Sequence, residues 1–304
     1  MLGRIAELYY SHGMTHQEVA NLLGLSRVQV TRLLARARAE GIVEIRVFND
    51  EAIFPLEQKQ LVTRFGLESA WIAPSFPDPT ATLDSIGTVG ANYLRSVLKS
   101  GMTIAVGLSS TIASVAKHLS KDPVDVTFIP AIGSRPASDS TVNPHQVAEL
   151  LAQAVGGKAS HLASHLLAST VEAAQTIRAE PEISQILEAA RGADLGLFGL
   201  GGIKEEAGTI LDTLGFSVDT NELLEKGVVG DISACFFDKA GQSVTSEISE
   251  RVVGLHLDEI MSIGHRTAFA GGSQKVDSIA GALRGGIITT LVTDIDTARL
   301  LLKR

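Results

Sequence analysis

Between Ser26 and Arg32 the chain runs SRVQVTR, setting two arginines, a glutamine and a threonine within seven residues. At helical spacing Val28, Thr31, Arg32 and Ala35 share one face, with Arg27 and Gln29 near its start, while Val30, Leu33, Leu34 and Ala37 line the opposite face. A helix that is apolar behind and presents such groups in front fits a DNA major groove. There guanidinium groups bond guanine edges, an amide bonds adenine and a threonine methyl meets thymine. A solvated helical hairpin offers the same arginines. What favours the groove is the combination of Ala20 where two helices approach, Gly24 at a tight turn, and Val30 and Leu33 packing back. The candidate DNA-binding set is Thr15, Ser26, Arg27, Val28, Gln29, Thr31 and Arg32; Arg36 and Arg38 are expected at phosphates or in water. One such unit spans few base pairs, so a homodimer or larger assembly on double-stranded operator DNA is expected.

A second group of residues suits a small polar ligand. In AVGLSST, a strand stops at Gly107 and Ser109, Ser110 and Thr111 open a helix, a place where backbone N–H groups and hydroxyls receive an anion or a polyol; a capped helix without a ligand looks the same. In PAIGSR, Gly133 ends a strand, Ser134 follows, and Arg135 is either a phosphate or carboxylate partner or a plain surface arginine. In FAGGSQK, Gly271 and Gly272 precede a helix whose first turn holds Lys275, a cation the helix dipole disfavours unless an anion compensates. The run FGLGG, with Gly201, lacks the full G-x-G-x-x-G context and reads more readily as tight packing.

These residues need elements to hold them. Three short helices are expected over residues 3–12, 15–23 and 26–39, with Thr15 and Glu18 forming a capping box and Ser26 capping the third. GIVEIRV alternates as a strand or wing, residues 49–55 form a linker, and residues 56–65 a helix. Beyond Trp71, strands over 103–108, 126–132, 195–200, 229–237, 267–270 and 290–293 alternate with helices over 84–99, 110–119, 144–155, 182–190, 274–284 and 295–302. Short continuous apolar strands between helices predict a mostly parallel, doubly wound α/β sheet. The expected domains are 1–50, a helix-turn-helix head, and 51–304, an effector-binding body.

Composition sets bounds. At 304 residues with 45% apolar content the chain can fill two domains. The net charge is −8, yet residues 1–46 hold six arginines against four glutamates, so a mildly basic head precedes an acidic body. No uncharged apolar run reaches the roughly 18 residues a membrane span needs. MLGRIAELYYSHGM lacks the long apolar stretch and small-residue cleavage site expected of a signal peptide, and the single Cys235 suits a reducing cytoplasm. No cofactor, metal or catalytic set is expected.

The chain resembles the SorC family of sugar-responsive bacterial transcriptional regulators. The blocks that carry the likeness are residues 15–47, GDISACFFDKAG (230–241), VGLHLDEI (253–260) and AGGSQKVDSIAGALRGGIITTLVTDIDTARLLL (270–302). The resemblance implies an effector domain with the fold of sugar-phosphate isomerases and deaminases, and a sugar, polyol or sugar-phosphate effector that controls DNA affinity at a carbohydrate-catabolism operon. It places Gly107, Ser109, Ser110, Thr111, Gly133, Gly201, Gly271, Gly272 and Lys275 around the ligand, with Asp231 and Asp238 facing its hydroxyls. Where many members read V-G-W-G-R-T, this chain has VGLSST, losing a phosphate-clamping arginine and a stacking tryptophan. Arg135 and Lys275 then carry the phosphate, or the ligand is an uncharged polyol. No lysine lies between Val124 and Gly157 for an imine. The alternative is a sugar-phosphate isomerase or deaminase with a regulatory head, drawing on Asp231, Asp238 and His265.

Overall fold

A computed structural model describes residues 1–43, 53–119, 123–134, 143–203 and 220–304. The chain divides into two compact units, Met1–Asp50 and Glu51–Arg304.

The first unit is a small helical bundle. Helix α1 (Leu2–Ala6) continues through a wider turn, Glu7–Ser11, and is followed by α2 (His16–Leu23) and α3 (Arg27–Ala39). Both later helices begin on a reciprocal cap: Thr15 with Glu18, and Ser26 with Gln29. Each cap satisfies N–H groups that the first helical turn leaves unpaired, a contribution of about 1 kcal/mol. Gly24 turns the chain between them in the left-handed region, at φ 65°, which only glycine enters without steric cost. Ile5, Val19, Ala20, Val30, Leu34 and Ala37 close the core. The expected wing lies outside the described residues from Glu44 onward, as do residues 49–52 of the expected linker.

In the second unit α4 (Pro55–Phe65) leads into strand β1 (Ser69–Ala73). Then follow α5 (Pro79–Val97), β2 (Thr103–Val106), α6 (Ser110–His118), β3 (Thr127–Pro130), α7 (Pro144–Val155) and β4 (Lys158–Ala159). Helices α8 (Val171–Ala179) and α9 (Pro181–Arg191) precede β5 (Leu195–Phe198) and β6 (Gly201–Gly202). The chain finishes with β7 (Val228–Ile232), β8 (Cys235–Asp238), β9 (His265–Phe269), a helix Val276–Arg284, β10 (Thr290–Asp294) and a helix Ile295–Leu302.

Seven strands form one parallel sheet in the order β1-β10-β9-β5-β2-β3-β4. Successive residues of a strand point to opposite faces. Thus Ile104 and Val106 join one apolar layer with α5, α6 and α7, whereas Ala105 joins the other with α4, α9 and the last two helices. Both faces are covered, which is why these strands read as continuous apolar runs. The chain lays β2, β3 and β4 toward one edge, then returns to set β5 on the other side of β2. Ligands of open α/β sheets lie where the strand order reverses in this way, outside the carboxyl ends of the strands.

One sequence expectation fails here. Residues 229–237 are not a single strand: Ile232 pairs with Cys235 across a two-residue turn, making β7 and β8 an antiparallel hairpin beside β6. The turn residues Ser233 and Ala234 adopt φ 50° and 65°, so neither a glycine nor an asparagine marks it.

Candidate functional site

In the head, α3 presents its outer face as expected. Arg27, Val28, Gln29, Thr31, Arg32 and Ala35 are exposed, while Val30, Leu34 and Ala37 are buried. Several polar atoms on this face have work already. The Thr15 N–H and Oγ1 both donate to Glu18 Oε2, at 2.7 and 2.8 Å, and these contacts lower the Glu18 pKa. Ser26 Oγ accepts the Gln29 N–H, and Gln29 Oε1 accepts the Ser26 N–H at 2.8 Å. Thr31 Oγ1 donates to the Arg27 carbonyl. Thr15, Ser26 and Gln29 therefore fix the starts of α2 and α3 through their side chains. A groove of about 520 Å³ lined by Tyr10, His16, Gln17 and Arg27 opens at the same two helix starts.

In the body, the loops after β2, β5 and β9 meet at the carboxyl edge of the sheet. Ser109 caps α6, its Oγ accepting the Ile112 N–H; Ser109 and Thr111 are buried, and Ser110 is exposed. Gly199 and Ser109 touch, so the β2 and β5 loops close on each other. Gly201 pairs with Asp231 in the small sheet, and a methyl group there would collide with the Asp231 carboxylate. Gly107 likewise receives the Ser233 hydroxyl against its Cα. Glycines at both strand ends thus admit the tip of the β7–β8 hairpin, and FGLGG is tight packing.

Asp231 is buried at this junction. Its Oδ2 accepts the Ala234 N–H at 3.1 Å, tying the hairpin turn. Burial pushes its pKa up to about 6, against the opposing pull of that N–H and of Lys275. Lys275 ends a short 3-10 turn, Ser273–Lys275. Burial lowers its pKa, while the Asp231 carboxylate raises it. An ammonium and a carboxylate that are both short of water, and near enough to feel each other, can bond hydroxyls and an anionic group of one small molecule.

Other expected contacts have different tasks. Asp238 Oδ1 accepts the N–H groups of Ala240 and Gln242, both at 2.9 Å, and so closes the turn after β8. Gly133 donates to the Val253 carbonyl, and a side chain there would strike the His165 backbone. Ser134 bonds the Ser164 carbonyl through both its N–H and its hydroxyl. Arg135 lies outside the described residues. Gly271 packs on the Asp294 carboxylate, and the Gly272 N–H donates to Asp294 Oδ2 at 3.0 Å and to Thr297 Oγ1 at 2.8 Å. Those two glycines shape the loop, with Gly272's N–H committed to protein partners.

Two residues at this edge escaped sequence reasoning. Asp294, at the end of β10, also accepts the Ser75 and Thr297 hydroxyls, holding three segments together. Its signal was a capping aspartate with Thr297 three residues on. Ser233 had none, because its turn is hidden in an apolar run; its Oγ is buried without a hydrogen-bond partner.

Residues 52–303 match the family described as "Putative sugar-binding domain", and residues 13–43 match "Bacterial regulatory proteins, crp family". The deoxyribonucleoside regulator of Bacillus subtilis (strain 168) is 30% identical over 301 residues, covering 97% of this chain and 95% of that one. The transcriptional regulator LsrR of Enterobacter sp. (strain 638) is 30% identical over 310 residues, covering 99% and 92%. The full-length sorbitol operon regulator SorC from Klebsiella pneumoniae superposes with a TM-score of 0.80 at 26% identity, covering 99% of this chain and 97% of that one.

Proposed function

The chain belongs to the sugar-binding-domain family of SorC-type transcriptional regulators, and on that premise we propose that it controls a carbohydrate-catabolism operon. It is a sugar-responsive DNA-binding regulator. In this reading Arg27, Val28, Thr31 and Arg32 enter the major groove. Lys275, Asp231 and the Gly107–Thr111 loop hold a sugar, polyol or sugar phosphate at the carboxyl edge of β2, β5 and β9. One observation carries the proposal: a capped helix with an exposed arginine face and, in the same chain, a strand-order reversal whose loops gather a buried carboxylate and an ammonium.

Effector binding changes DNA affinity only by the difference in its affinity for the two arrangements of the protein. Of the residues the isomerase alternative draws on, Asp231 lies at the carboxyl edge while the other two lie elsewhere. His265 starts β9 and pairs with Glu68 at the opposite end of the sheet, and Asp238 closes a turn.

The test is a melting-temperature screen against sugars, polyols and their phosphates. A ligand at a hundred times its Kd stabilises by about 2.7 kcal/mol, a shift of several degrees. Lys275→Ala is expected to abolish the shift given by a phosphorylated effector. If no compound of the panel moves the wild type, the effector reading fails. If the variant responds like the wild type, Lys275 is not the anion contact.

A further inference from the structure

The base-reading face of α3 carries fewer polar readers than its sequence suggests. An amide recognises adenine by accepting from one base atom while donating to another. Gln29 holds its Oε1 on the Ser26 N–H, so turning the amide to a two-pronged base contact competes with the cap. Thr31, an exposed residue, has turned its hydroxyl to the Arg27 carbonyl, 3.1 Å away, and that oxygen lies 3.4 Å from His16 Nδ1. Arg36 is paired with Glu40.

What remains on the front of the helix is Arg27, Arg32 and two exposed apolar side chains, Ala35 and the larger Val28 in the first turn. Val28 is 69% exposed, whereas Val19 and Val30 of the same unit are fully buried. Val28 has no packing role: it is the second residue of α3, on the side away from the core. A β-branched residue there also gives slightly less helix stability than alanine. The apolar feature that a major groove offers to such a side chain is the 5-methyl group of thymine, which no other base carries.

We propose that Val28, flanked by Thr31, recognises a thymine in each operator half-site through its 5-methyl group, while the arginines bond guanine or phosphate. The proposal rests on the DNA-binding reading of the head and names the base feature it selects.

The probe is a duplex that the full-length wild type enriches from a random-sequence library, in which each thymine of one half-site is replaced in turn by deoxyuridine, lacking only the methyl. Burying one methyl contributes about 0.8 kcal/mol, so one replacement is expected to weaken wild-type binding about fourfold. Val28→Ala is expected to bind the thymine and deoxyuridine duplexes equally at that position, with an unchanged melting temperature because the side chain is exposed. Arg32→Ala should lose affinity for both duplexes alike and keep the full methyl preference. The proposal is overturned if every replacement is silent with the wild type, or if Val28→Ala retains the penalty. A protein that enriches no duplex overturns the DNA-binding reading, and this proposal with it. Enrichment without any methyl effect overturns this proposal alone.

Discussion

Asp231 is pulled in two directions. Burial favours its neutral form, while the Ala234 N–H and Lys275 favour the carboxylate, and the result is a pKa lifted from an ordinary 3.8 to about 6. A carboxyl whose pKa is higher folded than unfolded stabilises the fold most below its unfolded value, and that stability is lost as pH rises through 6. From pH 4 to pH 7 the wild type should therefore lose about 2 kcal/mol that Asp231→Asn does not lose. Urea unfolding of both proteins across this range measures the difference; parallel curves would mean that Asp231 is not desolvated. The same residue types elsewhere show why sequence alone misassigns such groups. Asp238 and Asp231 lie on one hairpin, yet Asp238 ends in a turn cap, because the unpaired N–H groups of Ala240 and Gln242 are within its reach. Thr15, Ser26 and Gln29 have the chemistry to contact DNA and use it to start helices.

The β7–β8 hairpin is where element-level reasoning gave way. Its extended character was legible, as one strand over 229–237, and the turn that splits it was not, since two left-handed residues without glycine or asparagine go against local preference by about 1–2 kcal/mol each. Asp231 and the packing of Ala234 against the Ile132 and Phe236 cluster hold the turn in place. Ser233→Gly should relieve the backbone and remove a buried, unpartnered hydroxyl, raising the melting temperature by about 3 °C. Ala234→Gly should bring no such gain, because the strain it relieves is offset by the methyl it takes out of the core. A lower melting temperature for Ser233→Gly would show that the hydroxyl has an essential structural partner. The head contrasts with the hairpin: its helix starts were readable because capping chemistry is local, and Thr15–Glu18 and the Ser26 cap close as the sequence implies, while the return bond from Gln29 was read only from the structure.

For the whole molecule, one head with three or four readers gives too small a contact for useful affinity, so the full chain is expected to act on DNA as a dimer or tetramer. Sedimentation should give a particle of at least two chains, and footprinting should show two related half-sites separated by whole helical turns. A monomer protecting one asymmetric site would contradict this. The sequence by itself determined the helix-turn-helix, the alternation of apolar strands and helices, and the glycine-marked strand ends, because each follows from periodicity, capping or backbone sterics within a few residues. The tertiary structure alone decided the order β1-β10-β9-β5-β2-β3-β4 and the contacts by which Gly107, Gly201, Asp231 and Lys275, grouped beforehand only by family resemblance, meet across more than 160 positions of chain. That meeting depends on which loops the reversal of strand order brings face to face, and on water being excluded between them, conditions that no local stretch of sequence encodes.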